Sequence, residues 1–387
     1  MKAFATSKVL LIDGESWFAP PIANCLGAAG RRLHVLSAER RALVRFSRFC
    51  AEYHYRNGEA DLLDAIRQIA AQARIGVIMA CTDAGIRFLS ERRKEIEDCA
   101  TVAGTPDLPQ IDIAGDKGTF AEFLAVTALP HPQSVVLRAG KPLLSRLPSF
   151  PILLKPARGF GGNRILRFNN AGDFEQAVRR NEFGSEDWVA QSFVPGRDID
   201  ISVLCRNGRI LAHTVQCPLL PETSSFAPPP AIRFVHDDEV VEIARRLVSA
   251  LNWTGVAHID MRRDERDGKV FIIEMNGRYW ASVYASLHAG VNFPELACLD
   301  ASGEKVPYPN YADRKFVMFS AARRLASGGV RWTDTDLQYR LRDPGPFLAN
   351  RLVHWFRKSG STGPQQRTTA VAAPCRSESA AASLLRG

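Results

Sequence analysis

A lysine beside a glycine-rich loop is the first pattern in this chain that could do chemistry. Lys155 ends the apolar run 152–154 and is followed closely by the loop 158–162, Arg-Gly-Phe-Gly-Gly. A compact ammonium group next to a flexible glycine loop can contact phosphate oxygens, which backbone N–H groups also bind. An exposed lysine before an ordinary turn gives the same pattern. The phosphate interpretation therefore depends on the rest of the chain.

A second pattern places oxygen ligands on neighbouring strands. Glu274 and Asn276 are two residues apart in an apolar strand pattern, so their side chains share one face. Asp260 belongs to the preceding strand pattern and could lie near Glu274 across an antiparallel pair. Carboxylate and amide oxygens, completed by water and phosphate, suit Mg²⁺. Two acidic residues on paired strands usually form a solvated face, but the apolar sequence around these two makes that explanation costly.

Two further segments could bind a nucleotide. Arg278 follows Asn276, and its guanidinium could bind a phosphoryl group or a carboxylate, or could pair with a local carboxylate. The segment 188–200 is an apolar strand pattern that ends in Pro-Gly. Its free backbone groups could bind an adenine edge, while Asp198 could accept hydrogen bonds from ribose hydroxyls.

The elements that must position these residues fall into two regions. Residues 1–115 alternate strand and helix patterns, which predicts a parallel sheet covered by helices, with ligands at the carboxyl ends of the strands. The pairs Ser47-Arg48 and Thr82-Asp83 lie in loops that could face this crevice, or could be helix caps and solvated surface. The predicted strands here are 9–13, 33–36 and 75–81, and the clearest helix is 61–74.

From about residue 116, short strands dominate and predict an α+β region with antiparallel pairing. The polar run 263–268 predicts a hairpin turn. The proline-rich stretch 218–230 is either a lid or binding loop, or a long connection. The predicted strands are 152–155, 164–168, 189–194, 199–205, 209–216, 255–262 and 269–276, and the predicted helices are 171–180 and 237–251.

The C-terminal segment carries the excess charge. Residues 305–387 hold 14 Lys and Arg against 5 Asp and Glu, so this segment accounts for the whole net charge of +9. A nucleic-acid-binding surface on the main body is therefore not predicted. Residues 346–358 predict a basic amphipathic helix that either packs against the body or makes peripheral contact with an anionic membrane. From about residue 359 the composition predicts disorder.

Composition and cysteine usage indicate a globular cytoplasmic protein. The chain of 387 residues is 46% hydrophobic and 24% charged, enough for two or three domains with proper cores. We find no apolar run of roughly 18 residues and no secretory signal pattern, so a cytoplasmic location is expected. The 8 cysteines are scattered without a CxxC pair, which predicts reduced thiols rather than disulfides or a zinc site.

Taken in order, these motifs resemble the ATP-grasp superfamily over about residues 1–304. The resemblance implies a pre-ATP-grasp α/β domain (1–115), an ATP-grasp domain (116–304) and a basic C-terminal segment (305–387). It also implies a role for each matching residue. These are Lys117 and Lys155 as phosphate-contacting lysines, Gly159, Gly161 and Gly162 in a mobile loop over the phosphates, Gln191, Phe193 and Val194 at the adenine hinge, Asp198 as the ribose acceptor, Asp260, Glu274 and Asn276 as magnesium ligands, and Arg278 with Lys155 as the catalytic groups.

The sequence departs from the family pattern at two of these places. Gln191 stands where the family usually has Glu, although its amide oxygen can still accept from an adenine amino group. Gly277 replaces a common proline, which would loosen Arg278.

The resemblance implies an ATP-dependent, ADP-forming ligase. Such an enzyme activates a small-molecule carboxylate as an acylphosphate for attack by an amine or a thiol, and uses ATP with Mg²⁺ (or Mn²⁺). The alternative is a nucleotide-binding regulatory or assembly protein of the same fold without turnover. The absence of a Met-Lys-Met biotin-carrier turn disfavours biotin carboxylation. The substrates are not encoded in any motif; Arg233, the stretch 218–230 and residues 278–282 are the expected determinants.

Overall fold

A computed structural model describes residues 8–58, 61–138, 147–159, 164–180, 182–220, 229–319, 321 and 330–359. Within these ranges the chain forms three sheets, one parallel and two dominated by antiparallel pairs. This arrangement confirms the predicted α/β region followed by an α+β region. The boundaries at 115/116 and 304/305 stay a prediction. A search of the same ranges finds no helix with the length and apolar character needed to span a membrane.

The first sheet is parallel and has the strand order β3-β2-β1-β4-β5. Its strands are β1 (Lys8–Leu11), β2 (Leu33–Ser37), β3 (Cys50–Tyr55), β4 (Ile75–Met79) and β5 (Thr101–Val102). The helices of this region are α1 (Ala19–Ala28), α2 (Leu62–Ala73), α3 (Asp83–Glu91), α4 (Arg93–Glu97) and α5 (Leu108–Gly115). Asp61 accepts hydrogen bonds from the first turn of α2, and Thr82 accepts one from Gly85 N in α3. Thr82 is therefore a helix cap.

The second sheet is antiparallel and has the order β6-β9-β7-β8. Its strands are β6 (Ser134–Leu137), β7 (Ile152–Pro156), β8 (Leu166–Phe168) and β9 (Trp188–Ser192), and helices α6 (Lys117–Val126) and α7 (Ala171–Arg179) accompany them. Strand β8 begins two residues later than predicted, because Arg164 has a left-handed backbone with φ of 62°. Strand β9 ends at Ser192 rather than at the predicted Val194.

The third sheet has seven strands in the order β10-β14-β11-β12-β13-β16, with β15 paired to β14. They are β10 (Gly196–Asp198), β11 (Asp200–Arg206), β12 (Arg209–Pro218), β13 (Ala231–Val235), β14 (Gly255–Asp264), β15 (Val270–Asn276) and β16 (Lys315–Val317). Helix α8 (Asp238–Ala250) buries Val240, Ala244 and Leu247 in the same apolar core as Ile201 and Ile259 of the sheet. The predicted hairpin between β14 and β15 is present.

The C-terminal helices pack against the first region of the chain. They are α9 (Val283–Ala289), α10 (Phe293–Ala301), α11 (Leu337–Arg342) and α12 (Pro344–Ser359). Helices α9 and α10 contact α1. The Asp343 carboxylate accepts from Ser47 Oγ at 2.5 Å and from Arg48 N at 2.9 Å. The predicted basic helix is thus present as α12, and its beginning is tied to the body. Leu348 and Leu352 remain 54% and 57% exposed, so membrane contact stays a prediction.

Three predictions concern regions outside the described residues. They are the disorder expected from about residue 359, most of the stretch 218–230, and the phosphate loop at 160–163. Among the described residues, all seven cysteines are unpaired, as the sequence predicts.

Candidate active site

The second sheet places Lys155 inside the protein. Lys155 lies on β7 opposite Val189 of β9, and its side chain is buried. Its Nζ donates a hydrogen bond of 2.8 Å to Gln191 Oε1. The pKa of Lys155 is lowered to about 8, mainly by burial; the negative charge of Glu274 opposes this effect, and the positive charge of Lys117 adds to it. Among the described residues, no carboxylate accepts a hydrogen bond from Lys155, and a buried ammonium group in this state is costly for a purely structural residue.

Gln191 uses both ends of its amide within the protein. Its Oε1 accepts from Lys155, and its Nε2 donates to Ser134 Oγ at 3.2 Å. The amide oxygen that the resemblance assigns to adenine is therefore occupied by the lysine. Register explains this contact, because Gln191 pairs with Leu153, two residues before Lys155 on the neighbouring strand.

Lys117 joins three separate elements. It begins helix α6, whose first turn is capped by Asp116 through Gly118 N and Thr119 N. Its Nζ donates to the carbonyl of Gly159 at 2.7 Å and lies 3.2 Å from Glu274 Oε1 on β15. Gly159 has φ of 131°, a conformation that favours glycine and lets the chain turn towards Lys117. Gly161 and Gly162 lie outside the described residues.

The two lysines and Gln191 line one small cavity. Polar groups come from Lys117, Lys155 and Gln191, with His131 and Ser134, and apolar side chains form the remainder of the wall. The apolar lining residues are Phe120, Ala121, Leu124, Val189 and Ile273. A lining that combines two cations and an amide with apolar side chains has the chemistry that a nucleotide site requires.

Asp260 and Glu274 are direct partners in the β14–β15 ladder. Burial raises the pKa of Asp260 to about 8, and the negative charge of Glu274 adds to the effect. Two carboxylates packed together in a half-buried position favour binding of a cation between them. The donor set of carboxylate oxygens fits a hard divalent ion such as Mg²⁺.

Asn276 is close to these carboxylates but faces them with its nitrogen. Its Nδ2 donates to Asp260 Oδ2 at 3.2 Å, while its Oδ1 accepts from Arg278 Nη2 at 3.2 Å. The structure therefore brings Asn276 to the predicted metal ligands. For its amide oxygen to bind a metal, the side chain must rotate away from Arg278.

Sequence reasoning missed two residues beside Asp260. The ligand atoms of Asp200, His258 and Asp260 lie within 4.8 Å of one another. His258 Nε2 lies 3.3 Å from Asp260 Oδ1, and His258 Nδ1 lies 2.9 Å from Ser202 Oγ. Asp200 is buried, and burial together with the nearby Asp260 raises its pKa well above the usual range. The alternation of His258 and Asp260 along one strand was a signal for this cluster, but the pairing of β11 with β14 was not readable from the sequence.

Arg262, which sequence reasoning also missed, contacts three of the residues predicted to bind the adenosine part of the nucleotide: Phe193, Val194 and Asp198. Arg262 donates from Nη1 to Asp198 Oδ1 at 2.6 Å and from Nε to the carbonyl of Val194 at 2.7 Å. Its guanidinium carbon lies 5.7 Å from the centre of the Phe193 ring, and that of Arg167 lies 4.2 Å from it. The hinge thus lies beside β14, the strand that carries Asp260. The position of Arg262, two residues after Asp260, placed it on the same face and was a usable signal.

Arg278 reaches from the third sheet to the first region of the chain. Its Nε donates to Asp83 Oδ2 at 3.0 Å, and its Nη1 donates to the carbonyl of Tyr279 at 2.9 Å. Its guanidinium carbon lies 5.0 Å from the centre of the Phe18 ring. Only 14% of its side chain is exposed. Its positive charge acts to lower the pKa of Asp260, so the guanidinium is held near that carboxylate.

Comparisons with known proteins find similar sequences and similar structures. A family model described as ATP-grasp in the biosynthetic pathway with Ter operon matches residues 184–322, less than half of the chain. The chain is 25% identical over 227 residues to the carbamoyl phosphate synthase large chain of Archaeoglobus fulgidus, covering 55% of this chain and 21% of that protein. It is 23% identical over 248 residues to the D-aspartate ligase of Enterococcus faecium, covering 58% of each.

Solved structures show the same fold. The N5-carboxyaminoimidazole synthetase of Staphylococcus aureus, complexed with ADP, superposes with a TM-score of 0.62 at 15% identity, covering 78% of this chain and 79% of that one. Residues 184–322 are thus similar to an ATP-grasp family, and most of the chain shares the fold of the solved structures. The chain spans 58% of the length of the D-aspartate ligase and 21% of the carbamoyl phosphate synthase large chain.

Proposed function

We propose that this protein is an ATP-dependent, ADP-forming ligase that activates a carboxylate as an acylphosphate for attack by an amine or a thiol. The observation that carries the proposal is the contact of 3.2 Å between Lys117 Nζ and Glu274 Oε1. This contact joins an ammonium group that could bind phosphate to a carboxylate that could bind a metal ion. Lys155 and Asp260 are also close enough to influence each other's pKa. The ligase names of the relatives support the reaction class.

In this proposal the nucleotide lies against Lys117 and Lys155. The two ammonium groups bind the β- and γ-phosphate oxygens, and Gly159 starts the loop over them. Mg²⁺, held by Asp260, Glu274 and a rotated Asn276, would neutralise phosphate charge when bound. The apolar wall of the cavity receives the adenine, and Asp198 lies at the edge of the hinge where a ribose hydroxyl would donate.

The protein positions the substrates and supplies no covalent nucleophile. A carboxylate oxygen of the substrate attacks the γ-phosphorus, the bond to ADP breaks, and an acylphosphate forms. The amine or thiol then attacks the acyl carbon, loses a proton, and phosphate leaves. Arg278 and Lys155 stabilise charge on the transferred phosphoryl group. Loss of one such preorganised group typically raises the barrier by about 3–4 kcal/mol.

A phosphate-release screen tests the proposal. The purified full chain is incubated with ATP, Mg²⁺ and pairs of acids and amines drawn from amino acids, hydroxy acids and sugar acids. ADP and phosphate should appear only when both substrates are present, and Glu274→Gln should abolish this turnover. Glu265→Gln, in the exposed turn of the same hairpin, is the matched control and should keep it. Binding of ATP without substrate-dependent ADP formation over the whole screen would favour the regulatory alternative.

A further inference from the structure

Three ligand-type side chains meet at the edge of the first sheet, away from the strands of the candidate active site. His34 lies on β2, and Glu52 and His54 lie on the neighbouring edge strand β3. His34 pairs with Glu52, and His54 pairs with Leu36, in the parallel ladder. Because side chains alternate along a strand, all three residues share the sheet face that also carries Leu36. That face is covered by helix α2.

The spacing of their ligand atoms matches that of a metal coordination sphere. His34 Nδ1 lies 3.2 Å from His54 Nε2 and 3.5 Å from Glu52 Oε2, and His54 Nε2 lies 3.9 Å from Glu52 Oε1. Ligands at the usual zinc distances of about 2.0–2.1 Å in a tetrahedron are about 3.3 Å apart. We propose that His34, Glu52 and His54 form a binding site for a divalent transition-metal ion of the zinc class.

The donor set selects the class of ion. Two imidazole nitrogens and one carboxylate suit Zn²⁺ and Co²⁺, whereas Mg²⁺ prefers oxygen ligands alone. The site is therefore chemically different from the carboxylate cluster at Asp260.

The exposure of the three side chains shows how an ion would enter. The His34 side chain is 5% exposed, that of His54 is 20% exposed and that of Glu52 is 59% exposed. The two rings are stacked, with centroids 5.5 Å apart and planes at 12°. The imidazole nitrogens of His34 and His54 thus lie on the protein side of the site, and the Glu52 carboxylate lies on the solvent side. A fourth position remains on the solvent side for water or another ligand.

A hydrogen-bonded histidine pair is the competing explanation, because the 3.2 Å separation also suits an N–H···N bond. In that case Glu52 would have no part in metal affinity. The two explanations therefore differ in the response to Glu52→Gln. Glu52 lies on an exposed edge strand, so its replacement leaves the core of the fold intact.

Co²⁺ absorption and Zn²⁺ titration of the metal-free full chain test the site, with excess Mg²⁺ present to occupy the carboxylate cluster. One equivalent of Co²⁺ should produce the intense bands of a tetrahedral site. Glu52→Gln and His54→Gln should each weaken Zn²⁺ binding by at least about tenfold. His236→Gln, an exposed histidine just after β13, and His258→Gln should leave Zn²⁺ binding unchanged.

Three results would overturn the proposal. The wild-type chain could bind neither ion at micromolar concentration, Glu52→Gln could bind Zn²⁺ as tightly as the wild type, or His258→Gln could remove the bands while His54→Gln keeps them. Thermal unfolding of each variant without metal confirms that a lost signal reflects the site and not the fold.

Discussion

Arg278 and Asp83 form an ion pair between residues 195 positions apart, with Nε 3.0 Å from Oδ2. Asp83 begins helix α3, which follows the carboxyl end of β4 in the parallel sheet. Arg278 follows β15, the strand that carries Glu274. The pair therefore lets the first sheet fix the orientation of a guanidinium near Asp260. In the proposed reaction, this orientation is what the transferred phosphoryl group requires.

Asp83→Asn should impair catalysis more than stability. Asp83 is 66% exposed, so loss of the ion pair should lower the free energy of unfolding by less than about 1 kcal/mol. A guanidinium released from this contact should lower kcat/KM for the carboxylate substrate by about tenfold, with little change in ADP affinity. Denaturant unfolding and steady-state kinetics measure the two effects.

Asp112→Asn is the matched control for that experiment. Asp112 is 62% exposed and pairs with Arg87, which lies on the same helix α3 as Asp83. Its replacement should leave kcat/KM unchanged. Equal kinetics for Asp83→Asn and Asp112→Asn would show that Asp83 does not position Arg278.

Lys155→Met should stabilise the protein at neutral pH while abolishing turnover. Folded Lys155 loses its proton near pH 8, whereas an unfolded lysine keeps it to about pH 10.4. Between about pH 8 and pH 10.4 the unfolded chain binds more protons than the folded chain, so the free energy of unfolding rises with pH. Below about pH 8 the folded lysine is charged, and the full cost of burying that charge is present. Removing the charge should therefore raise the free energy of unfolding by about 3 kcal/mol at pH 7, and this increase should become smaller towards pH 9.5.

Unfolding curves of both proteins between pH 7 and 9.5 measure this difference. Lys269→Met supplies the control, because Lys269 is 69% exposed on the β14–β15 hairpin. The Lys269→Met variant should show no comparable increase in the free energy of unfolding at any of these pH values. A Lys155→Met variant no more stable than the wild type at pH 7 would contradict a buried, charged Lys155.

Nucleotide binding should take up protons above pH 8. With a pKa of about 8, Lys155 is protonated in about a quarter of free molecules at pH 8.5, and contact with phosphate should restore the proton. The lysine contribution is roughly 0.7 proton per ADP bound without metal. Calorimetry in buffers of different ionisation enthalpy measures the uptake, and Lys155→Met should reduce it by that amount.

Gln191→Glu refines the same experiment. A carboxylate in place of the amide that accepts from Lys155 should raise the lysine pKa before ADP binds. Proton uptake at pH 8.5 should then fall below the wild-type value. If the wild type, Lys155→Met and Gln191→Glu took up the same number of protons on binding ADP, Lys155 would be excluded as a phosphate ligand.

The site could be predicted from the sequence where its contacts are local. Asp260 and Glu274 belong to two strands joined by a short polar turn, so their pairing follows from the hairpin and from strand alternation. Lys155 and Gln191 carried separate signals, but their hydrogen bond depends on the register between β7 and β9. No local pattern encodes that register, because the two strands are separated by β8 and α7.

Non-local pairing also explains the residues that were missed. Asp200 joins Asp260 because β11 lies next to β14, with Ile201 opposite Ile259. The first sheet was predictable from its alternating buried strands, yet its edge strand β3 was not. Glu52 and Tyr55 in that strand are exposed, and only part of its side chains meet the core, so the hydrophobic signal is weak.

The affinity for ADP with and without Mg²⁺, in wild type and Glu274→Gln, tests the central claim most directly and needs no knowledge of the substrates. We expect Mg²⁺ to tighten ADP binding at least about tenfold in the wild type, and to have almost no effect in Glu274→Gln. Metal-free ADP should bind the variant at least as well, because a negative charge beside Lys117 has been removed. Glu265→Gln should behave like the wild type. An equal Mg²⁺ effect in wild type and Glu274→Gln would contradict a metal–nucleotide site at Lys117, Asp260 and Glu274.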